Sequence, residues 1–299
     1  MEFDFKAHLF KKEDFKLNIS VNGEMIQNEI KTMPLEPSTG LPRIVDTSAD
    51  PYAYSKGRSI FDFYMREWAG VDPADGSPMW FQYFNDTNNS NVLDSGEDSI
   101  ASLTEYLFDN PDANVKKQIT HTYSEATDKY VGKSGIPDLR GAFRLNATYK
   151  NFSFSTQFTY SLGGWAYDFQ YAELMSDRFG AVGNNFSKDI INRWTQPGDI
   201  TNVPRLSDAI DQNSTSTSTR FLTSTDYIAL NNASIGYNVP KKFLSKTGIS
   251  SLNIWFSGDN LFITTARTGF NPSTRENGNS GRRMYAPMTT FTAGVKVKF

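Results

Sequence analysis

Cysteine is absent from the 299 residues. That removes disulfides, zinc–thiolate sites and thiol catalysis together, and it suits a cell-envelope location without requiring one. Histidine is nearly absent: His8 and His121 stand far apart, with no nucleophile motif around either. No motif that carries a catalytic mechanism is present, so the chain is expected not to be an enzyme and to need no cofactor or metal. There is no long basic tract and the net charge is -3, which argues against nucleic acid as a partner. No run approaches the ~18 apolar residues of a membrane helix, and mean hydropathy is -0.49. That value leaves transmembrane strands open, because their alternation averages out as polar. No export signal precedes the strand-like Met1 to Leu9. The expectation is therefore that the chain is not exported or that its front is missing.

Aromatic residues, by contrast, are plentiful, with 23 Phe and 14 Tyr. They fall into alternating stretches. At the C-terminus, Phe291, Ala293, Val295, Val297 and Phe299 share one parity, and Thr290, Thr292, Gly294, Lys296 and Lys298 share the other. A period of two with large residues on one side is an amphipathic strand. Taken alone it fits a soluble sandwich or a membrane barrel.

Eight further strands are predicted on the same grounds: Met1–Leu9, Phe15–Val21, Ser59–Ala69, Pro78–Phe84, Phe143–Tyr149, Phe152–Ser161, Asp226–Val239 and Ser250–Ile263. Ile228 and Leu230 oppose the parity of Ala233, Ile235 and Tyr237, which predicts a bulge near Asn231–Asn232. Short helices are expected near Ser99–Phe108 and Ser187–Trp194. Connections near 10–14, 70–77, 150–151 and 240–249 are short, and those at 25–57, 86–139, 163–225 and 264–285 are long. This rhythm matches a transmembrane barrel, with short turns at one rim and long loops at the other. About nine strands is an odd number, so the expected architecture is all-β: residues 1–299 as the C-terminal part of a larger transmembrane β-barrel.

Several stretches carry a family resemblance. Gly57-Arg-Ser-Ile-Phe-Asp-Phe-Tyr64 with Trp68-Ala-Gly-Val-Asp-Pro-Ala-Asp-Gly76, Tyr130-Val-Gly-Lys-Ser-Gly-Ile-Pro137 before Gly141-Ala-Phe143, and Asn192-Arg-Trp-Thr195 with Val203-Pro-Arg205 fall in order. They are followed by Tyr227-Ile-Ala-Leu-Asn-Asn-Ala-Ser-Ile-Gly-Tyr-Asn-Val-Pro240 and Ser257-Gly-Asp-Asn-Leu-Phe262. Together they resemble the C-terminal barrel region of SusC/RagA-family TonB-dependent outer-membrane transporters.

The resemblance implies a complete barrel of roughly 22 strands in a Gram-negative outer membrane. Its partners would be a plug segment, TonB, a SusD-like surface lipoprotein, outer-membrane lipid and an oligosaccharide or peptide substrate. No TonB box or plug is found in these residues, so transport would belong to a larger assembly. The alternatives are a passive porin-like barrel fragment and a secreted all-β glycan-binding module.

Trp165, Tyr167, Phe169 and Tyr171 form the candidate ligand site. Counted on from the preceding strand they would face inward and could stack on sugar rings. A bulge at Gly163–Gly164 would instead turn them into a girdle or a loop core. Phe291, Val295, Val297 and Phe299 have the form of an outer-membrane assembly signal. Residues 86–97 partly match a calcium loop, but Asn91 stands where glycine is required and no flanking helices are evident, so the reading preferred is an ordinary polar loop. Arg66, Arg144, Lys296 and Lys298 read as hydrated charges on the inward face.

Overall fold

The computed structural model describes residues 1–176, 185–206, 212–274 and 285–299. The chain begins with β1 (Glu2–Lys11) and β2 (Phe15–Glu24). A long excursion carries β3 (Asp62–Arg66), β4 (Trp68–Val71), β5 (Pro78–Asn85), β6 (Ser99–Ile100), α1 (Leu103–Asp109), β7 (Val115–Thr120) and β8 (Asp128–Ser134). Next come β9 (Leu139–Tyr149) and β10 (Phe152–Leu162). A second excursion holds β11 (Trp165–Tyr167), α2 (Phe169–Leu174) and β12 (Leu222–Ser224). The chain closes with β13 (Tyr227–Asn238), α3 (Lys241–Leu244), β14 (Ser251–Thr264) and β15 (Thr290–Lys298).

Seven of these strands make one antiparallel sheet in the order β1-β2-β9-β10-β13-β14-β15. Paired residues share a face, so register turns each strand's alternation into rows. One row runs Phe5–Val21–Phe143–Phe158–Leu230–Phe262. Another runs Leu17–Ala147–Phe154–Ile235–Phe256–Ala293. This face is open to its surroundings: Phe256 is 48% exposed and Phe291 63%. The other face is polar. Its rows include Ser20–Arg144–Gln157–Asn232–Asp259. Here Arg144 Nε donates to Gln157 Oε1 at 3.0 Å and Asn232 Nδ2 to Asp259 Oδ1 at 2.7 Å. The register skips Asn231 against both neighbouring strands, which is the bulge the parity change announced.

Three expectations are corrected. First, the sheet is open: among the described residues β1 pairs only with β2 and β15 only with β14, whereas a barrel requires its terminal strands to pair. The chain therefore forms several open antiparallel sheets, and the expected transmembrane β-barrel, with its multi-pass placement in the outer membrane, is not the architecture found. Second, the main sheet holds seven strands, not nine. The segments 59–69 and 78–84 instead build small sheets, β3 with β8 and β4-β5-β6 with β7 on β5. Their aromatics are enclosed, with Phe63, Tyr64, Met65, Trp80 and Phe84 all buried. Third, the turn at 70–77 lies inside the first excursion and joins no two strands of the main sheet. Among the described residues no helix is long and apolar enough to cross a membrane.

The excursions leave the same end of the sheet and fold together as a lobe. Its core joins Phe63 and Met65 of the first excursion to Tyr167, Ala172, Met175 and Phe221 of the second. The expected helices are α1 and a 3-10 turn at Lys188–Asn192. Arg66 belongs to this lobe, pairing with Asp128 at 3.3 Å and lying 4.3 Å over the Tyr123 ring. Its place on the inward face of the main sheet is thus also corrected.

Candidate functional site

The aromatic group at 165–171 is set by what happens at Gly163. Its φ of +87 is accessible to glycine at little cost, and its N–H donates to Asp226 Oδ1 at 2.6 Å. The chain leaves β10 there, so the parity count ends. Trp165 and Tyr167 then pair with β12, and Asp168 caps α2 by accepting from the Tyr171 N–H at 3.0 Å.

The four residues consequently occupy different surroundings. Trp165 is half-buried, with Lys133 Nζ 3.9 Å over its ring. Tyr167 is only 2% exposed, and burial raises its phenol. Phe169 packs edge-on to Tyr167 at 4.7 Å. Tyr171 meets Phe221 edge-on at 6.0 Å, and its hydroxyl donates to Asp189 at 2.9 Å. The group is packed against the lobe core and forms no single ladder.

Around it lie contacts that the sequence did not single out. Asp168 is fully buried and accepts from Arg267 Nε at 3.0 Å and Nη2 at 2.5 Å, while the guanidinium lies 4.3 Å over Tyr171. This pair ties the segment after β14 to the second excursion. The turn at Asp72–Gly76 is gripped from the other side. Trp194 Nε1 and the Gly198 N–H both donate to Pro73 O, at 3.1 and 2.8 Å. The Arg205 N–H donates to Gly76 O at 2.9 Å. Trp68 Nε1 donates to Asn202 Oδ1 at 2.6 Å, and Tyr123 OH to Thr217 O at 2.9 Å. The only available signals were the Asp-Pro-Ala-Asp-Gly turn and the Trp194 and Arg205 motifs, which nothing in the sequence links to one another.

The remaining candidates are placed as follows. Asp86 is buried and accepts from the N–H groups of Ser90 and Asn91, at 3.0 and 3.1 Å. Asn91 adopts φ 62. Hydrogen bonds from Asn88 and Ser90 hold Asp94 below its ordinary pKa. The loop's oxygens are thus turned on its own donors, and no group of three or more metal-ligating side chains occurs among the described residues. His121 Nδ1 lies 2.8 Å from Ser77 Oγ and Nε2 3.6 Å from Asp72. The Ser77 hydroxyl donates to Asp75 at 2.7 Å and is buried, so it braces the turn and is not presented as a nucleophile. Phe291, Val295 and Val297 on β15 and Phe299 just beyond it are all exposed, and Phe291 stacks on Phe256 at 5.8 Å.

This arrangement superposes on part of the chain in solved transporter structures. All of the chain superposes on 29% of a chain in the structure of the RagAB peptide transporter, with a TM-score of 0.75 and 21% identity. The RagAB peptide importer in its closed-closed state gives 0.73 over 99% of the chain, again at 21% identity. At that identity the likeness is one of fold.

In sequence, the whole chain is 26% identical to TonB-dependent receptor P3 of Formosa agariphila, of which it spans 28%. It is 29% identical over 58% of its length to TonB-dependent receptor P39 of the same organism, spanning 17% of that protein. No family model matches the sequence. The recognised resemblance is therefore corrected in scope: the link to TonB-dependent receptors and RagAB is distant and covers only part of those proteins, and among the described residues the sheets close into no barrel. The relatives in sequence are named as TonB-dependent receptors and the solved structure as a peptide transporter.

Proposed function

We propose that the chain is part of a receptor-type uptake system, with the lobe facing the solute and the apolar face of the sheet set against membrane lipid. The observation that carries this reading is the end-to-end match, in sequence to TonB-dependent receptor P3 and in fold to RagAB. On this reading the partners are TonB, a SusD-like surface lipoprotein, the further segments of a longer receptor, and a peptide or oligosaccharide. Half-buried Trp165, Phe169 and Tyr171 are the proposed solute contacts, held in place by buried Tyr167. The exposed row Phe291, Val295, Val297 and Phe299 is the strip we propose an assembly factor reads.

The test is calorimetric titration of the purified chain with pools of short peptides and of neutral oligosaccharides. Saturable binding of at least one pool is expected, and no binding of either overturns the reading. A second reading, a free-standing all-β binding module, is favoured by the open sheet and by the lobe's own buried core. Fractionation separates the two. Recovery only with detergent supports the first reading, because an apolar face of this extent needs a cover. Full recovery as a soluble monomer without detergent supports the second.

A further inference from the structure

The end of the main sheet away from the lobe is positively charged. Three short connections lie there, β1 to β2, β9 to β10 and β13 to β14. The first region carries Lys11, Lys12 and Lys16, the second Lys150, and the third Lys241, Lys242 and Lys246. All of these lysines are exposed. Glu13 and Asp14 are the acidic residues of the same connections, although the chain as a whole carries -3. None of the lysines here makes an ion pair with the described residues, whereas Lys129 in the lobe pairs with Glu67 at 3.3 Å. Lys11 and Lys16 stand directly opposite each other in the β1–β2 register. Like charges so placed weaken strand pairing, and an anion held at this end offsets that cost.

This end also has a fixed shape and an aromatic border. The Lys150 N–H donates to Asp14 O at 2.8 Å and the Asn238 N–H to Asn151 O at 2.9 Å, which ties each turn to the next. Leu244 is the buried residue of α3, and its neighbour Phe243 is 64% exposed, with Lys242 Nζ 4.9 Å over the ring. Lys150 Nζ lies 5.5 Å over Tyr149. That ring belongs to the apolar-face row nearest these turns, Phe15–Tyr149–Phe152–Tyr237.

We propose that this end of the sheet binds the phosphates of anionic lipid headgroups. The inference rests on the reading of the apolar face as set against lipid, and it adds which lipid that face selects. Two observations decide the partner. Unpaired, exposed lysines attract an anion. The aromatic row then borders them at the edge of an apolar face. A lipid satisfies both, with its phosphate at the ammonium groups and its carbon chains against the rings and lysine stems. An acidic protein segment answers the charge alone.

The experiment is flotation of the purified full chain, diluted from detergent, with vesicles of phosphatidylcholine alone or with phosphatidylglycerol added. Binding to the anionic vesicles is expected to be at least about a hundredfold tighter, at about fivefold per lysine engaged. About 1 M salt, which shortens screening to about 3 Å, should abolish the preference. Changing Lys241, Lys242 and Lys246 together to Gln should remove most of it. The pair Lys11→Gln and Lys16→Gln, which relieves a like-charge contact, is a second variant should α3 be disturbed. Lys56, Lys117 and Lys188, exposed lysines of the excursions, changed together to Gln should leave the preference intact. Equal binding to both vesicles overturns the inference, as does a preference that the excursion variant lowers as much as the α3 variant. So does salt-sensitive capture of polyglutamate without any vesicle preference, which assigns the end to an acidic protein. Each of these outcomes leaves the apolar face on lipid. A chain that floats with neither vesicle removes both readings.

Discussion

The ring of Trp194 closes over Gly76 so tightly that a Cβ on that glycine would stand 2.5 Å from the ring and 2.9 Å from Arg205 Cβ. The ring cannot swing away freely, because Nε1 is held by Pro73 O. Gly76 also has φ +77. Gly76→Ala therefore adds a steric penalty to a backbone one, about 2–4 kcal/mol in all. Gly57→Ala is the control, since Gly57 has φ +81 with nothing within 4 Å and incurs the backbone cost alone. Urea unfolding should place Gly76→Ala well below Gly57→Ala; equal midpoints would refute the clamp.

Asp168 is enclosed and Arg267 is its cation. Arg267→Met leaves the carboxylate buried without that partner, at a cost of about 3–5 kcal/mol. Asp168→Asn combined with Arg267→Met should cost less than the two single changes added together. Additive losses in a double-mutant cycle would show that the pair is not coupled.

Two carboxylates should give the lobe opposite responses to pH. Burial pushes Asp128 above its ordinary 3.8; Arg66 opposes the push and Asp50 adds to it. The folded chain keeps that proton where the unfolded chain has released it, so stability falls as pH rises from 3.8 through the raised value. Glu67 behaves conversely. Its burial is outweighed by the Tyr83 hydroxyl, which donates at 2.6 Å, and by Lys129, so its carboxyl lies below 4.5. Its contribution is complete above 4.5 and is lost as pH falls through the lowered value. Asp128→Asn should flatten the stability profile above 3.8, and Glu67→Gln should flatten it below 4.5. Unfolding midpoints across a pH series would show this, and wild-type profiles from both variants would refute it.

Trp165 and Tyr167 should part company under mutation. Tyr167→Ala empties a site in the lobe core and should cost about 3–5 kcal/mol. Trp165→Ala should leave the thermal transition within about 1 kcal/mol of wild type, because the residue is half-buried at the core's margin. Solute affinity should fall in the Trp165 variant, and unchanged affinity there would remove Trp165 from the binding site.

Seven strands of the main sheet could be read from alternation, and so could the bulge at Asn231, because Ile228 and Leu230 break parity inside one strand. The same alternation misled at 59–69 and 78–84. Phe61, Phe63 and Met65 have the spacing of an exposed apolar row, yet Phe63 and Met65 are enclosed by residues from a distant excursion. Period two reports a strand and not what covers it. Counting the turn at 70–77 as a rim connection completes a rhythm that suggests part of a transmembrane barrel. The site was harder still. A left-handed Gly163 ends the parity count before Trp165, and the Asp168–Arg267 and Gly76–Trp194 contacts join residues that no local pattern connects.

The common origin of the excursions at one end of the sheet also shapes the order of folding. The hairpins β1–β2 and β9–β10 close over very short turns, and β13–β14 over the short α3 segment. Such local closures cost little chain entropy and form early. The seams β2–β9, β10–β13 and β14–β15 must each wait for a long excursion to be gathered in. Because residues of two excursions share one core, the lobe supplies the contacts that offset those closures. Loosening the lobe should therefore slow the zipping of a sheet whose own rows are untouched, so mutations in the lobe should register first as slower refolding.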